Sequence, residues 1–258
     1  MNTDTTTLLY AGIRNSLYQL ERLLPAYSAG RLTEPHHPHA IAMLYRRLGV
    51  CRLLTTGEAE PLFEALKQGV AAYLLRLPAM ADDDKVTSRA AVFWDAIASG
   101  SWDAAAEIAQ HSRPTPNPTW EHEDDFLYVW FLMTRYVLDD GSLEAEERQR
   151  ALLNRWDEVL ERRSDPRREL CEALLHRDAR AFHTAFDATS EAREDDLRRR
   201  LADHTLPADD AAWSLPVWLE GLALLRLAER DGLQTEPCIR GIPLVCRPNA
   251  SQRLHATP

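Results

Sequence analysis

Residues 119–138 read TWEHEDDFLYVWFLMTRYVL, and the fold class follows from how they are arranged. The first turns are crowded with Glu121, Glu123, Asp124 and Asp125, where negative charge suits the helix macrodipole. Thr119 stands where its hydroxyl can cap that helix. From Phe126 to Leu138 the residues are apolar on nearly every face. Such a helix has no side to give to water, so other helices must surround it. The stretch predicts the central member of a helical bundle.

Toward the N-terminus the helical period repeats. Leu9, Ile13, Leu17, Leu20 and Leu24 predict a helix over Thr5–Leu24 that Pro25 stops. Ile41, Leu44, Leu48 and Cys51 predict a second over Pro35–Thr55, closed by Gly57. A third runs over Glu58–Leu77 and ends at Pro78. A loop with Asp82, Asp83 and Asp84 leads into a hairpin, Val86–Ser99 and Trp102–His111, across a Gly-Ser turn. Residues 113–118, RPTPNP, hold three prolines and mark a sub-boundary inside one all-helical domain over 1–247.

Toward the C-terminus, Ser142–Arg163 is amphipathic and charge-rich. Pro166 opens a helix to His176, and Ala179–Thr189 and Glu191–His204 follow as two more. Ser214–Arg230 is apolar almost all round, with Gly232 as its cap. Ile239–Val245 reads as a short extended segment within an irregular tail, and residues 248–258 as a flexible end. The expectation is an all-α bundle of antiparallel helical hairpins, loosely tetratricopeptide-like. An internal echo motivates the last term: FWDAIASGSWDAAAEIAQ (93–110) and LCEALLHRDARAFHTAFD (170–187) both flank a polar turn with alanines. Divergent hairpins of two related halves would produce it, and so would chance.

Composition agrees. Only 10 of 258 residues are glycine, and 45% are hydrophobic against 27% charged, the balance of a globular chain. The formal charge is −10, from 40 acids and 30 bases, which disfavours nucleic acid and anionic lipid as partners and favours basic proteins. It also simply keeps a protein soluble. Cys51, Cys171, Cys238 and Cys246 form no CxxC pair and read as reduced thiols of the cytoplasm. The first residues lack the basic start of a signal peptide. No apolar run is long enough to cross a bilayer.

Residues of catalytic type fall into three groups, each with a plainer reading. His36, His37 and His39 are close together, but Pro35 and Pro38 extend that backbone and no ligand spacing supports a metal site. Glu121 to Asp125 with His122 resembles an acid–base cluster, yet helix stability alone selects acids there. Glu220 is a lone carboxylate in PVWLEGLALLRLA, so it must face water or find a partner on another helix. We read Glu220, Gly221 and Trp218 as structural, with Gly221 permitting close helix packing. The seven tryptophans read as core, with Trp102 and Trp213 at helix starts as candidate anchors. No phosphate loop, nucleophile elbow or Cys–His pairing appears, so no catalytic residue, metal ligand or cofactor site is assigned.

The stretch 215–233, LPVWLEGLALLRLAERDGL, resembles the closing segment of the Imm49-like immunity proteins of bacterial polymorphic toxin systems. The helix over Phe126–Leu138 and the hairpin over Asp165–Asp187 are similar in order and spacing. The resemblance implies a single all-α domain that neutralises a cognate toxin acting in the cytoplasm. It would do so by occluding the toxin, with no chemistry of its own. A basic toxin would be steered by an acidic surface, and charge alone selects Asp82, Asp83, Asp84, Glu121, Glu123, Asp124 and Asp125 as the expected contacts. A helical-repeat scaffold binding a host peptide in a concave groove is the alternative. A second copy of the chain is a further partner left open, since an apolar helix serves equally within one chain or between two.

Overall fold

The computed structural model describes residues 3–139 and 141–247. Among them are eleven α-helices and no strand. Within residues 119–138 the chain forms α6 (Glu123–Met133), in which Phe126 to Val129 and Phe131 to Met133 are all buried. Thr119 does not cap it. His122 occupies the cap position without a side-chain hydrogen bond, and Thr119 lies in a preceding turn, its amide donating to Asn117 Oδ1 at 3.1 Å. After Met133 the helix widens into a π turn, Thr134–Leu138. Arg135 there donates to Gln149, to the Leu174 carbonyl and to Asp231, while Tyr136 donates to Asp231 at 2.6 Å. This one turn ties three other parts of the chain to the end of α6.

Before it come α1 (Thr3–Ser28), α2 (His37–Thr56), α3 (Glu60–Leu74), α4 (Ala91–Ala98) and α5 (Trp102–His111), each packed on the next. The α2–α3 pair packs tightly: a Cβ added at Gly49 would meet Ala65 Cβ at 3.0 Å, and one at Gly69 the Ala42 carbonyl at 3.2 Å. Helix α1 runs through Pro25 rather than stopping there. Proline forfeits one backbone bond, but Pro25 is exposed and the buried Tyr27 draws the last turn onto α3 by donating to the Ala72 carbonyl at 2.7 Å. Gly30, at φ +73°, ends the helix instead. Helix α4 starts at Ala91, not Val86, because residues 85–88 are held in the loop network described below.

After it come α7 (Leu143–Leu160), capped by Ser142, and α8 (Pro166–His176), capped by Asp165. Then α9 (Ala179–Ala202) spans what the sequence divides into two helices. Nothing in Thr189-Ser190 breaks it, and Thr189 bonds back to the Ala185 carbonyl within the helix. The opposite correction applies to 214–230: the chain forms α10 (Ala208–Ser214) and α11 (Leu219–Arg230) with a break between them. Pro216 lacks an amide hydrogen to continue the ladder, and Trp218 is extended, at φ −111° and ψ 90°, its amide donating to the Gly241 carbonyl at 2.7 Å instead. Ile239–Val245 is a tight turn with one isolated Ile239–Ile242 bridge and a 3-10 turn, Leu244–Cys246, rather than an extended segment. The expected flexible end, 248–258, lies outside the described residues.

Both members of the internal echo, α4–α5 and α8–α9, fold as helical hairpins. Helix α11 packs on α4, and the main cluster of buried side chains runs from Ala42 to Cys246, on both sides of segment 113–118. The stretch 208–230 is long and apolar enough to cross a membrane by composition, and here it is two helices set against this core.

Candidate partner-binding surface and central cleft

The seven acids selected by charge have different fates. Asp82–Asp84 form a short 3-10 turn after α3, with Asp82 and Asp83 side chains 78% and 99% exposed. Lys85 Nζ lies 2.8 Å from Asp82, and this hydrogen bond holds the Asp82 carboxyl below its usual range. Arg113 reaches Asp83 at 3.4 Å. The turn is fixed from beneath by Asn117, which is 2% exposed and donates to the Asp83 and Lys85 carbonyls at 3.0 and 3.1 Å. Thr87 donates to the Arg113 carbonyl at 2.8 Å.

Glu121 is not on the surface of α6 but is the bracket of this network. Its carboxylate accepts the Ser88 amide at 2.8 Å and the Asn117 amide at 2.7 Å. The two loops therefore form one hydrogen-bonded platform that presents three aspartates. Beside Glu121 in sequence, Trp120 is 61% exposed, against the expectation of core packing. Trp102 and Trp213, expected as anchors, are half-buried: Arg230 lies over the Trp102 ring and Trp213 Nε1 donates to Asp210.

The other three acids are engaged inside the chain. Glu123 accepts two bonds from Arg155 of α7 at 2.7 and 2.9 Å, and these hold its carboxyl low. Arg167 of α8 lies 2.6 Å from Asp125, 3.7 Å from Asp124 and 2.8 Å from Asp165. These pairs attach the first turn of α6 to α7 and α8.

Behind them opens a two-lobed cleft. Its lobes, about 630 and 460 Å³, share Ser88, Trp94, Arg193, Trp218 and Glu220. Glu220 is half-buried and takes its partner from another helix, as its setting requires: the Tyr128 hydroxyl of α6 donates to Glu220 Oε1 at 2.7 Å. Burial and the adjacent carboxylate push the Tyr128 phenol well above its ordinary value, so it stays a neutral donor. Arg193 of α9 donates to the Ser214 and Val217 carbonyls and lies 5.8 Å over the Trp218 ring. Those carbonyls belong to the break between α10 and α11, so the break and the cleft wall are one feature. Gly221 acts differently from expectation. The close approach it permits is to the ring of its own neighbour Trp218, not to another helix.

The cleft thus sets a carboxylate, a phenol and a guanidinium around aromatic rings, a combination suited to holding a polar ligand with an apolar body. His39 lines the second lobe, where burial, then Arg46 and Arg89, lower its imidazole to about 4. Among the described residues no three His, Cys, Asp or Glu side chains are placed to hold a metal ion.

Sequence reasoning missed Asn117, Trp120, Tyr128 and Arg193. Asn117 sits between prolines, where loop residues look interchangeable, and Tyr128 reads as one more core aromatic. Compared with known proteins, the chain matches no family model, no curated protein and no solved structure.

Proposed function

We propose that this protein is an immunity protein, which binds a cognate bacterial toxin in the cytoplasm and neutralises it by occlusion rather than by catalysis. The observation that carries the reading is the platform of Asp82, Asp83 and Asp84 with Trp120. An interface needs groups already held in place, because ordering them on binding costs affinity. Here the backbone beneath the aspartates is fixed by Asn117 and Glu121 before any partner arrives. Exposed carboxylates steer a basic partner and quicken association, and an exposed tryptophan is the side chain most often found at an energetic centre. The likeness of residues 215–233 to toxin-neutralising proteins supplies the partner class. Under this reading Asp82 to Asp84, which stay exposed, are the contacts, and Glu121, Glu123, Asp124 and Asp125 serve to hold the loops and helices together.

The test is co-expression with the toxin encoded beside this gene. The chain should rescue growth and form a one-to-one complex. Reversing the charge of Asp82, Asp83 and Asp84 to lysine should slow association, and Trp120→Ala should speed dissociation. Growth arrest in the presence of well-folded wild-type protein would sink the idea.

A second reading is favoured by the cleft. A scaffold that binds a host peptide needs a concave groove, and the two lobes around Glu220 and Arg193 offer one. Under that reading Glu220→Gln and Arg193→Met, not the platform variants, would abolish capture of the partner.

A further inference from the structure

We infer that two copies of this chain pair through the outer face of α1, antiparallel and about a two-fold axis that passes between Leu17 and Tyr18. Large apolar side chains are seldom left in water in a row, yet Tyr10, Leu17 and Tyr18 are 56%, 43% and 58% exposed. With Arg14, Glu21 and Pro25, all exposed, they occupy about 100° of the helix circumference. The opposite side of α1 is spent on the core, through Leu9, Ser16, Leu20 and Tyr27.

The spacing of these six residues is that of any helical stripe, and the opposite charges placed on it specify the occupant. Arg14 and Glu21 lie three and a half residues on either side of the midpoint between Leu17 and Tyr18, about 5 Å each way along the axis. Tyr10 and Pro25 lie seven and a half residues on either side of the same point. Reversing the helix about that point exchanges Arg14 with Glu21, Leu17 with Tyr18 and Tyr10 with Pro25. An isologous interface demands this property, that residue i meets j while j meets i. Each arginine then faces a glutamate of the second copy, and each leucine a tyrosine.

The charges are available for this. No hydrogen bond or ion pair engages the side chain of Arg14 or Glu21 among the described residues, although most of the α9 surface acids and arginines do pair within their own helix. Seven residues apart, Arg14 and Glu21 are two turns from one another and too far to meet along one helix. Arg22, by contrast, lies 5.4 Å over the Tyr18 ring and donates to its hydroxyl at 3.3 Å, which holds that ring on the outer face. The 26-residue helix is about 39 Å long, enough for a helix-pair seam. Arg14 and Glu21 are opposite in sign, exchange under the reversal and are both unpaired among the described residues, so a second copy satisfies both charges at once and is the occupant the surface describes.

The experiment measures oligomeric state by light scattering after size exclusion over a wide range of protein concentration, with circular dichroism to confirm that each variant is helical. Wild-type protein should be a dimer. R14E and E21R should each be monomeric, with Kd raised about tenfold or more, because each creates two like-charge contacts per dimer. Mixing R14E with E21R should restore a dimer containing one copy of each, and the double variant R14E/E21R should again pair with itself. A wild-type monomer at every concentration overturns the proposal. So does a dimer that both single charge reversals leave intact, which would place the seam elsewhere on the molecule.

Discussion

The indole of Trp218 is folded over Gly221 so closely that a Cβ at position 221 would stand 2.2 Å from a ring carbon. Trp218 cannot withdraw easily, since it is 3% exposed, packs on Phe186 at 4.9 Å between ring centroids and carries Arg193 on its face. Two effects compete in Gly221→Ala. Helix propensity favours alanine by up to about 1 kcal/mol, whereas overpacking a filled core costs about 1–3 kcal/mol. The clash should win. The variant should melt at a lower temperature, by about 2–4 °C per kcal/mol, and pairing it with Trp218→Leu should recover part of the loss. A Gly221→Ala protein more stable than wild type would show that the ring moves freely.

Tyr128 and Glu220 should respond unequally to removal of their shared hydrogen bond. Tyr128→Phe keeps the ring but leaves Glu220 Oε1 facing an apolar edge, at a cost of about 1–3 kcal/mol. Glu220→Gln still offers a carbonyl oxygen to the phenol, so its loss should be smaller. Urea unfolding of the two variants settles the order, and equal losses would argue that the cleft admits water to Glu220.

Arg46 holds a carboxylate that is almost wholly buried. Asp95 is 2% exposed and receives Arg46 Nε at 2.9 and 3.0 Å, while Arg46 also donates to the Ala91 carbonyl at 2.7 Å. Burial outweighs the arginine and raises the Asp95 carboxyl above its ordinary value. Arg46→Ala would strand that group, and breaking one side of such a pair costs about 3–5 kcal/mol. Asp95→Asn should cost less, because it removes the charge that needs the partner. Chemical denaturation of both variants measures the difference.

Stability should fall on mild acidification through His39. Its folded-state value is about 4 against an ordinary 6.5, so between these the unfolded chain binds a proton that the folded chain refuses. Stability from this group is therefore complete above pH 6.5 and is lost as pH falls toward 4. His39→Gln should flatten the pH dependence of the urea midpoint across that window. An unchanged slope would mean that the imidazole reaches water.

The platform should loosen when its bracket is cut. Glu121→Ala removes the acceptor for the Ser88 and Asn117 amides, so hydrogen exchange at both should accelerate while exchange in α6 stays slow. Asn117→Ala should do the same at Thr119, whose amide donates to its side chain. Unchanged protection would mean that other contacts fix the loops.

Much of the helical framework was legible because its signals are local. The bounds of α5 and α8 coincide with those read from the sequence, since Gly100, at φ +77°, and Pro166 act within a turn of the residues they affect. Misreadings occurred where a distant group outbid a local one. Pro25 should end α1, yet Tyr27 holds its last turn against the Ala72 carbonyl. Ser214 to Arg230 has one apolar pattern, interrupted only by Pro216, yet the Gly241 carbonyl captures the Trp218 amide and the helix divides there. In each case the deciding partner lies more than twenty residues away.

By itself the sequence determined that this protein is all-α and that α6 is buried on most sides, because an amphipathic period and a stretch apolar on nearly every face are written in neighbouring residues. Only the tertiary structure decided which acids tie helices together and which, as Asp82 and Asp83 at 78% and 99% exposure, stay at the surface. Glu123 and Asp125 stand next to one another in composition and charge with Asp82 and Asp83, but arginines 32 and 42 residues further on come to lie beside them. A carboxylate's neighbours in space set its role, and those neighbours are brought by packing that no local pattern records.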